Sequence, residues 1–225
     1  MEKIEKAVSY KDKVYKEIKS AIISQKIKSG EILNERKLAE ELGISRTPVR
    51  EALQMLVNDG WVIVEPWKGA YMNPITEKGL IEVFQVRLAL EVLAIELIMD
   101  KISEQDIRTL TNILLKQEKL QENYQADEFI IVDREFHMVI AQMTDNKILI
   151  DVLNNLSDMI RRIGVQAVQD VNRFIETLDE HSHILIALKE RNKEKAVEAM
   201  KEHILLTREN VFKRFEESQI KEIGL

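Results

Sequence analysis

The stretch Leu42–Trp61, LGISRTPVREALQMLVNDGW, opens on a glycine turn and continues as a helix. Its first turn holds Arg46, Thr47, Pro48 and Arg50 and no apolar anchor. Val49, Leu53 and Leu56 give the inner face, and Ser45 is placed as the N-cap. Pro48 is tolerated because a first-turn residue needs no backbone donor. The pattern ends near Asp59-Gly60. Arginines at the end of a helix that already carries the positive pole of its dipole oppose stability, so a purely structural reason for them is weak.

Working outward, a second short helix fits Glu35 to Leu42, with Asn34 as N-cap, Leu38 and Leu42 facing inward and Gly43 ending it in the left-handed conformation. Val14, Ile18, Ala21 and Ile22 mark an earlier helix that stops before the Lys28-Ser29-Gly30 turn. After Gly60 the pattern becomes β-prone: Trp61-Val62-Ile63-Val64 and Ala70-Tyr71-Met72 flank a hairpin loop at Pro66-Trp67-Lys68-Gly69. Two helices joined by a tight glycine turn have the layout of a helix-turn-helix, whose second helix offers its N-terminal residues to the major groove. Arg46, Thr47 and Arg50 then face base edges and phosphate. Arg36 is placed for the DNA backbone, and Lys68 and Gly69 at the wing tip for the minor groove. Taken singly these are ordinary surface residues; taken together, with the wing following at once, they point to DNA.

All three prolines lie between positions 48 and 74, and Pro74 in NPIT marks a linker. From Thr76 onward there is no proline and only three glycines, and the spacing predicts helices near 77–101, 104–122, 128–143, 147–169, 173–190 and 193–217. Short breaks such as Thr144-Asp145-Asn146 imply antiparallel neighbours. The expected fold is mostly α: a winged helix-turn-helix over 1–75, followed by an all-α antiparallel bundle over 76–225. Charge divides the same way. Residues 1–75 hold 13 Lys and Arg against 11 Asp and Glu, the remainder 20 against 28, within a net charge of −6. A mildly basic head on an acidic body suggests two tasks. Cysteine is absent, which removes disulfides and thiolate chemistry. No bilayer-length apolar run and no apolar h-region at the start are present, so the expectation is a soluble, cytoplasmic protein without membrane contact.

The four histidines, His137, His181, His183 and His203, all lie in the acidic part. Asp133 and His137 are four residues apart beside an apolar stripe, His181 falls on the stripe Phe174, Leu178, Leu185, Leu188, and His203 on Ala196, Met200, Val211. One carboxylate and three imidazoles from three helices thus point inward, a donor set suited to Zn, Ni, Mn or Fe. The competing reading is a set of hydrogen-bonded core histidines. Arg87, on an otherwise apolar helix, is a candidate to pair with an effector anion, or else with Glu91 one turn on. Arg161 and Arg162 are adjacent, so only one of them, Arg161 in our assignment, reaches the same cavity.

The run ERKLAEELGISRTPVREALQMLVNDGWV, followed by PWKGAYM, resembles the winged helix-turn-helix of GntR-type bacterial transcription regulators, in particular the FadR-like branch. DREFH at 133–137, EHSHILIAL at 180–188 and MKEHI at 200–204 resemble the ligand-binding FCD domain that follows it in that branch. The resemblance implies that Arg36, Arg46, Thr47 and Arg50 contact DNA, with Gly69 at the wing. Pro48 replaces a small polar residue of some members, which removes a contact there. It further implies that Asp133, His137, His181 and His203 ligate a divalent metal to which a small carboxylate effector binds directly. The function that follows is a homodimeric, non-enzymatic regulator of operator DNA, with repression as the expected direction, its affinity set by that effector. A metal-ion sensor is the alternative, and a metal-dependent hydrolase a more distant one.

Overall fold

In a computed structural model, which describes residues 9–24, 26–122, 126–164 and 171–223, the chain divides into two compact units, Met1–Ile75 and Thr76–Leu225. Within the first, α1 (Tyr10–Ile23), α2 (Glu35–Leu42) and α3 (Arg46–Asn58) precede an antiparallel hairpin of β1 (Val62–Glu65) and β2 (Gly69–Met72). Val14, Ile18, Ile22 and Ile23 of α1 bury their side chains, as do Val49, Ala52, Leu53 and Leu56 of α3, and α1 packs on α3. Trp61, fully buried, closes the base of the wing. Each such large apolar side chain contributes on the order of 1.5–3 kcal/mol.

The caps differ in a way that bears on function. Asn34 accepts hydrogen bonds from the Arg36 and Lys37 amides, and Gly43 ends α2 at φ 64°. At α3 the expected cap does not form: Ser45 occupies the position in extended conformation, but its side chain accepts no hydrogen bond. The buried residue of α2 is Ala39, whereas Leu38 and Leu42 are only half-buried, because an eight-residue helix on a small core admits little bulk. One pairing escaped the sequence pattern. Ile32 bridges Tyr71, with Leu33 N donating to Ala70 O (2.8 Å) and Met72 N to Glu31 O (3.0 Å), so the segment before α2 braces the wing.

The second unit consists of α4 (Glu77–Ile98), α5 (Glu104–Glu122), α6 (Ala126–Met143), α7 (Lys147–Gly164), α8 (Val171–Lys189) and α9 (Lys193–Ile223). Thr76 caps α4 by accepting from Gly79 N (3.0 Å). α4 ends at Ile98 rather than 101, and Lys101 instead donates to Thr144 O (2.8 Å) at the turn before α7. The expected continuation of α7 to 169 lies outside the described residues past 164. α4 packs against α9, α6 and α7, and α8 against α5 and α9. Apolar residues from all of them, including Phe84, Leu110, Phe136, Ile184 and Met200, form the core into which the histidines are set. Among the described residues no helix is long and apolar enough to cross a membrane.

Candidate nucleic-acid interface and buried polar site

Arg46 and Thr47 at the start of α3 are exposed, and the first turn contains no acidic residue. Its leading amides have no side-chain cap, and Arg46 has no ion-pair partner among the described residues. Uncapped donors and a free guanidinium at a helix N-terminus make an anion-binding surface. The other candidate cations hold an acid in reserve. Arg50 grips Glu35 of α2 through Nε (3.1 Å) and a terminal nitrogen (3.0 Å), and Glu35 raises its pKa by hydrogen bonding and charge. Arg36 pairs with Glu40 (3.0 Å) and Lys68 with Glu65 (2.7 Å). Glu65 also accepts from the Tyr71 hydroxyl, and these two bonds hold its carboxyl below the usual range.

At the wing tip Gly69 has φ 88°, with open space where a Cβ would stand. Beside it sits a residue that the sequence pattern did not single out. Trp67 is fully exposed and also has a positive φ, 71°. A bulky side chain seldom adopts that backbone conformation, and tryptophan, with an apolar body and one N–H donor, is a residue type enriched at interfaces. Only its place in the hairpin loop hinted at this.

In the second unit, one ligand atom from each of Asp133, His137, His181 and His203 lies within 4.8 Å of the others. The three imidazoles are buried and Asp133 is partly exposed. Each ring is oriented from behind through Nδ1: His137 by Glu91 (2.5 Å), His181 by the Gln117 side-chain oxygen (2.9 Å) and His203 by Glu180 (2.7 Å). Those oxygens only accept, so each Nδ1 carries a hydrogen. His137 and His203 then meet Nε2 to Nε2 at 3.0 Å, a hydrogen bond that needs a proton on one of the two. Burial, then the charge of neighbouring groups, pushes the His181 and His203 pKa values well down, and burial raises the Asp133 carboxyl. Glu91 works against the same desolvation. The charges of His137 and Arg87 hold it down at about 2.

Arg87, offered by the sequence as an effector partner, spends its Nε on Glu91 (2.7 Å) inside the core, which is the internal salt bridge that was its alternative. The side chain of Arg161 lies outside the described residues. Arg173 emerges as a partly buried cation that the sequence reading passed over: it is held by Glu180 (2.5 Å) and also reaches Thr207 (3.2 Å). His183 is exposed and lies 3.7 Å from the Asp179 carboxylate one turn earlier, outside the group formed by the other three rings. Among the described residues three buried side-chain nitrogens find no hydrogen-bond partner, His181 Nε2 and Gln117 Nε2 in the cluster and Arg134 Nε elsewhere.

Comparison with known proteins places this geometry. Residues 10–72 match the bacterial regulatory proteins of the gntR family, and residues 82–206 match the FCD domain. The chain belongs to the gntR family of bacterial regulators and carries an FCD domain. It is 31% identical over 204 residues to the uncharacterized HTH-type transcriptional regulator YdhC of Bacillus subtilis (strain 168), covering 90% of this chain and 89% of that one. It is also 31% identical over 190 residues to the gluconate operon transcriptional repressor of the same organism, covering 82% and 77%. Among solved structures, McbR/YncC of E. coli superposes with a TM-score of 0.78 at 26% identity, over 93% of this chain and all of that one. These relatives are transcription regulators, a non-enzymatic family.

The comparisons also correct the expectation of a metal cofactor. A solved FCD domain that shares the fold over 64% of this chain (TM-score 0.55, 21% identity) is metal-free. The fold is therefore complete without an ion, and here the three rings are fixed by Glu91, Gln117, Glu180 and one another. A resident Zn, Ni, Mn or Fe ion at Asp133, His137, His181 and His203 does not stand as a cofactor. Control by a carboxylate bound through it falls with it, as do the metal-sensor and metal-hydrolase alternatives.

Proposed function

We propose that the chain is a cytoplasmic, homodimeric repressor of the FadR-like branch, with residues 1–75 as its DNA-binding domain and residues 76–225 as its effector-binding domain. The observation that carries the DNA reading is the first turn of α3: uncapped, free of acid, and with Arg46 without an ion-pair partner among the described residues. Arg46 and Thr47 read base edges, where a bidentate arginine contact is worth about 1–3 kcal/mol of discrimination. Arg50 exchanges Glu35 for phosphate on binding, Arg36 contacts the backbone, and Lys68, Gly69 and Trp67 approach the minor groove, Trp67 as an apolar wedge. Repression is supported by likeness to a gluconate operon repressor.

The effector in this reading is a small organic acid held by protein groups alone. A carboxylate oxygen accepting from Gln117 Nε2 would relieve a buried donor whose desolvation costs about 1–3 kcal/mol. Arg87 then acts by fixing Glu91 and through it His137. The effector must prefer one arrangement of the protein to the other for switching to follow. Two measurements test this function. A duplex selected from a random library by the wild-type chain should lose its advantage over scrambled duplex in Arg46→Ala; equal binding of the two duplexes by the wild type would refute sequence reading. In chelator-treated protein at least one of a panel of hydroxy and keto acids should raise the melting temperature, and Gln117→Leu should abolish that rise. No shift from any acid refutes the effector class.

A further inference from the structure

The cations of the helix-turn-helix and wing are held by acids in two different ways. Arg36 and Lys37 pair with Glu40 and Glu41 one turn along α2, the ordinary spacing of ion pairs on an exposed helix face. Arg50 and Lys68 are held otherwise. Arg50 on α3 reaches across to Glu35 on α2, donating through Nε to both carboxylate oxygens (3.1 and 3.2 Å) and through a terminal nitrogen to one of them (3.0 Å). A guanidinium takes a phosphate with the same fork of donors. Lys68 Nζ meets Glu65 Oε2 at 2.7 Å, while Oε1 of the same carboxylate accepts from the Tyr71 hydroxyl. In the hairpin register Tyr71 stands opposite Ile63 and Glu65 opposite Gly69, so the wing itself holds the carboxylate in place for Lys68. Both cations stay largely in solvent, the Arg50 side chain 67% exposed and that of Lys68 72%.

We infer that Glu65 and Glu35 are specificity-determining residues of the DNA-binding domain: they stand in for phosphate on Lys68 and Arg50 and release them only to a duplex held in register. The inference rests on the DNA reading of this surface and goes beyond it by naming what the surface rejects. Sequence-independent affinity comes from cations that neutralise phosphates and release counterions. A cation already neutralised by a carboxylate adds nothing until that pair opens. Opening is feasible because a solvent-exposed pair is weak. In the free protein the pairs persist, since contacts of 2.7 and 3.0 Å lie well inside the roughly 8 Å screening length of physiological salt. On an operator Arg46 fixes the register, and the phosphates facing Arg50 and Lys68 stay there to replace the carboxylates. On any other duplex the domain shifts among registers, no phosphate is held opposite them, and both pairs stay closed. The competing sequence is thereby penalised, which is one of the two routes to discrimination. The charge count agrees: 13 Lys and Arg against 11 Asp and Glu in residues 1–75 leave a surplus of two, little with which to hold arbitrary DNA.

Glu65→Gln and Glu35→Gln test this in the full chain, since glutamine keeps an oxygen that accepts from Tyr71 or Arg50 and removes the charge. Binding to a duplex selected from a random library and to its scrambled counterpart is followed by fluorescence anisotropy from about 50 to about 200 mM salt. Each substitution should steepen the logarithmic salt slope for scrambled duplex by about 0.9 and leave the slope for selected duplex unchanged. Lowering the salt across that range should then cost about threefold in discrimination relative to the wild type. Glu17→Gln, at an exposed acid of α1 without an ion-pair partner among the described residues, makes the same change of net charge and should move neither slope. Parallel gains on both duplexes, unchanged slopes, or the same effect from Glu17→Gln overturns the inference, and leaves the DNA reading standing where the wild type prefers the selected duplex. A wild type indifferent to the two duplexes overturns both. The two substitutions lie in separate elements, α2 and β1, so a folding defect in one, seen by circular dichroism, leaves the other to decide.

Discussion

The start of α3 and the imidazole cluster are the two places where polar chemistry is concentrated, and they are built in opposite ways. At α3 the cations are exposed, the cap is missing, and among the described residues Arg46 has no ion-pair partner while Arg50 is held only by the surface carboxylate of Glu35. In the cluster every ring is buried and held from behind by a carboxylate or an amide oxygen. A surface that must meet a charged partner gains from leaving its donors uncommitted, since water serves them until the partner arrives. In an interior each unpaired polar group, such as His181 Nε2 or Gln117 Nε2, is costly because it has no water to fall back on. Substitutions should therefore separate: those in the cluster act on folding, those at α3 on binding.

The largest effect is expected at Glu91. Glu91→Ala leaves Arg87 buried without its counter-charge and removes the orienting acceptor of His137, which should cost about 3–5 kcal/mol of stability, read from denaturant unfolding. A loss under about 1 kcal/mol would mean that water replaces the carboxylate and that the interior is wetter than argued. Next, Arg46→Ala should leave unfolding unchanged and reduce discrimination between selected and scrambled duplex by about 1–3 kcal/mol. Arg36→Ala, by contrast, should weaken both duplexes alike and flatten the dependence on salt. Trp67→Gly breaks the comparison in a useful way. It should relieve the left-handed backbone, raising stability by about 1 kcal/mol, while weakening duplex binding; a gain in both would remove Trp67 from the interface. The smallest effect is at a purely structural cap, where Asn34→Ala should cost about 1 kcal/mol of stability with base preference intact.

Much of this was legible in the sequence because it is local. The periods of α2, α3 and the later helices, the Gly43 stop and the hairpin loop each depend on residues within a few positions of one another. The inward set Asp133, His137, His181 and His203 was legible too, since each lies on or beside an apolar stripe. Its partners were not. Glu91 lies 46 residues from His137, and Gln117 lies 64 residues from His181. Nothing in helical spacing singles out one glutamine or glutamate as the residue that will sit behind a distant ring. The same limit hid the choice at Arg87, which pairing with Glu91 decides, and the brace from Ile32 to Tyr71. The Ser45 cap failed for another reason: a serine in the right place and conformation is necessary for capping, but whether its hydroxyl turns inward depends on what else the helix end must do.

The contrast rests on Arg46 having no ion-pair partner among the described residues, which in the proposed reading leaves it for DNA. The most direct measurement is a pair of curves on Arg46→Ala, denaturant unfolding and titration of selected against scrambled duplex. The account predicts an unfolding curve superimposable on the wild type and a discrimination between duplexes lowered about tenfold or more. Destabilised folding with unaltered discrimination would contradict it.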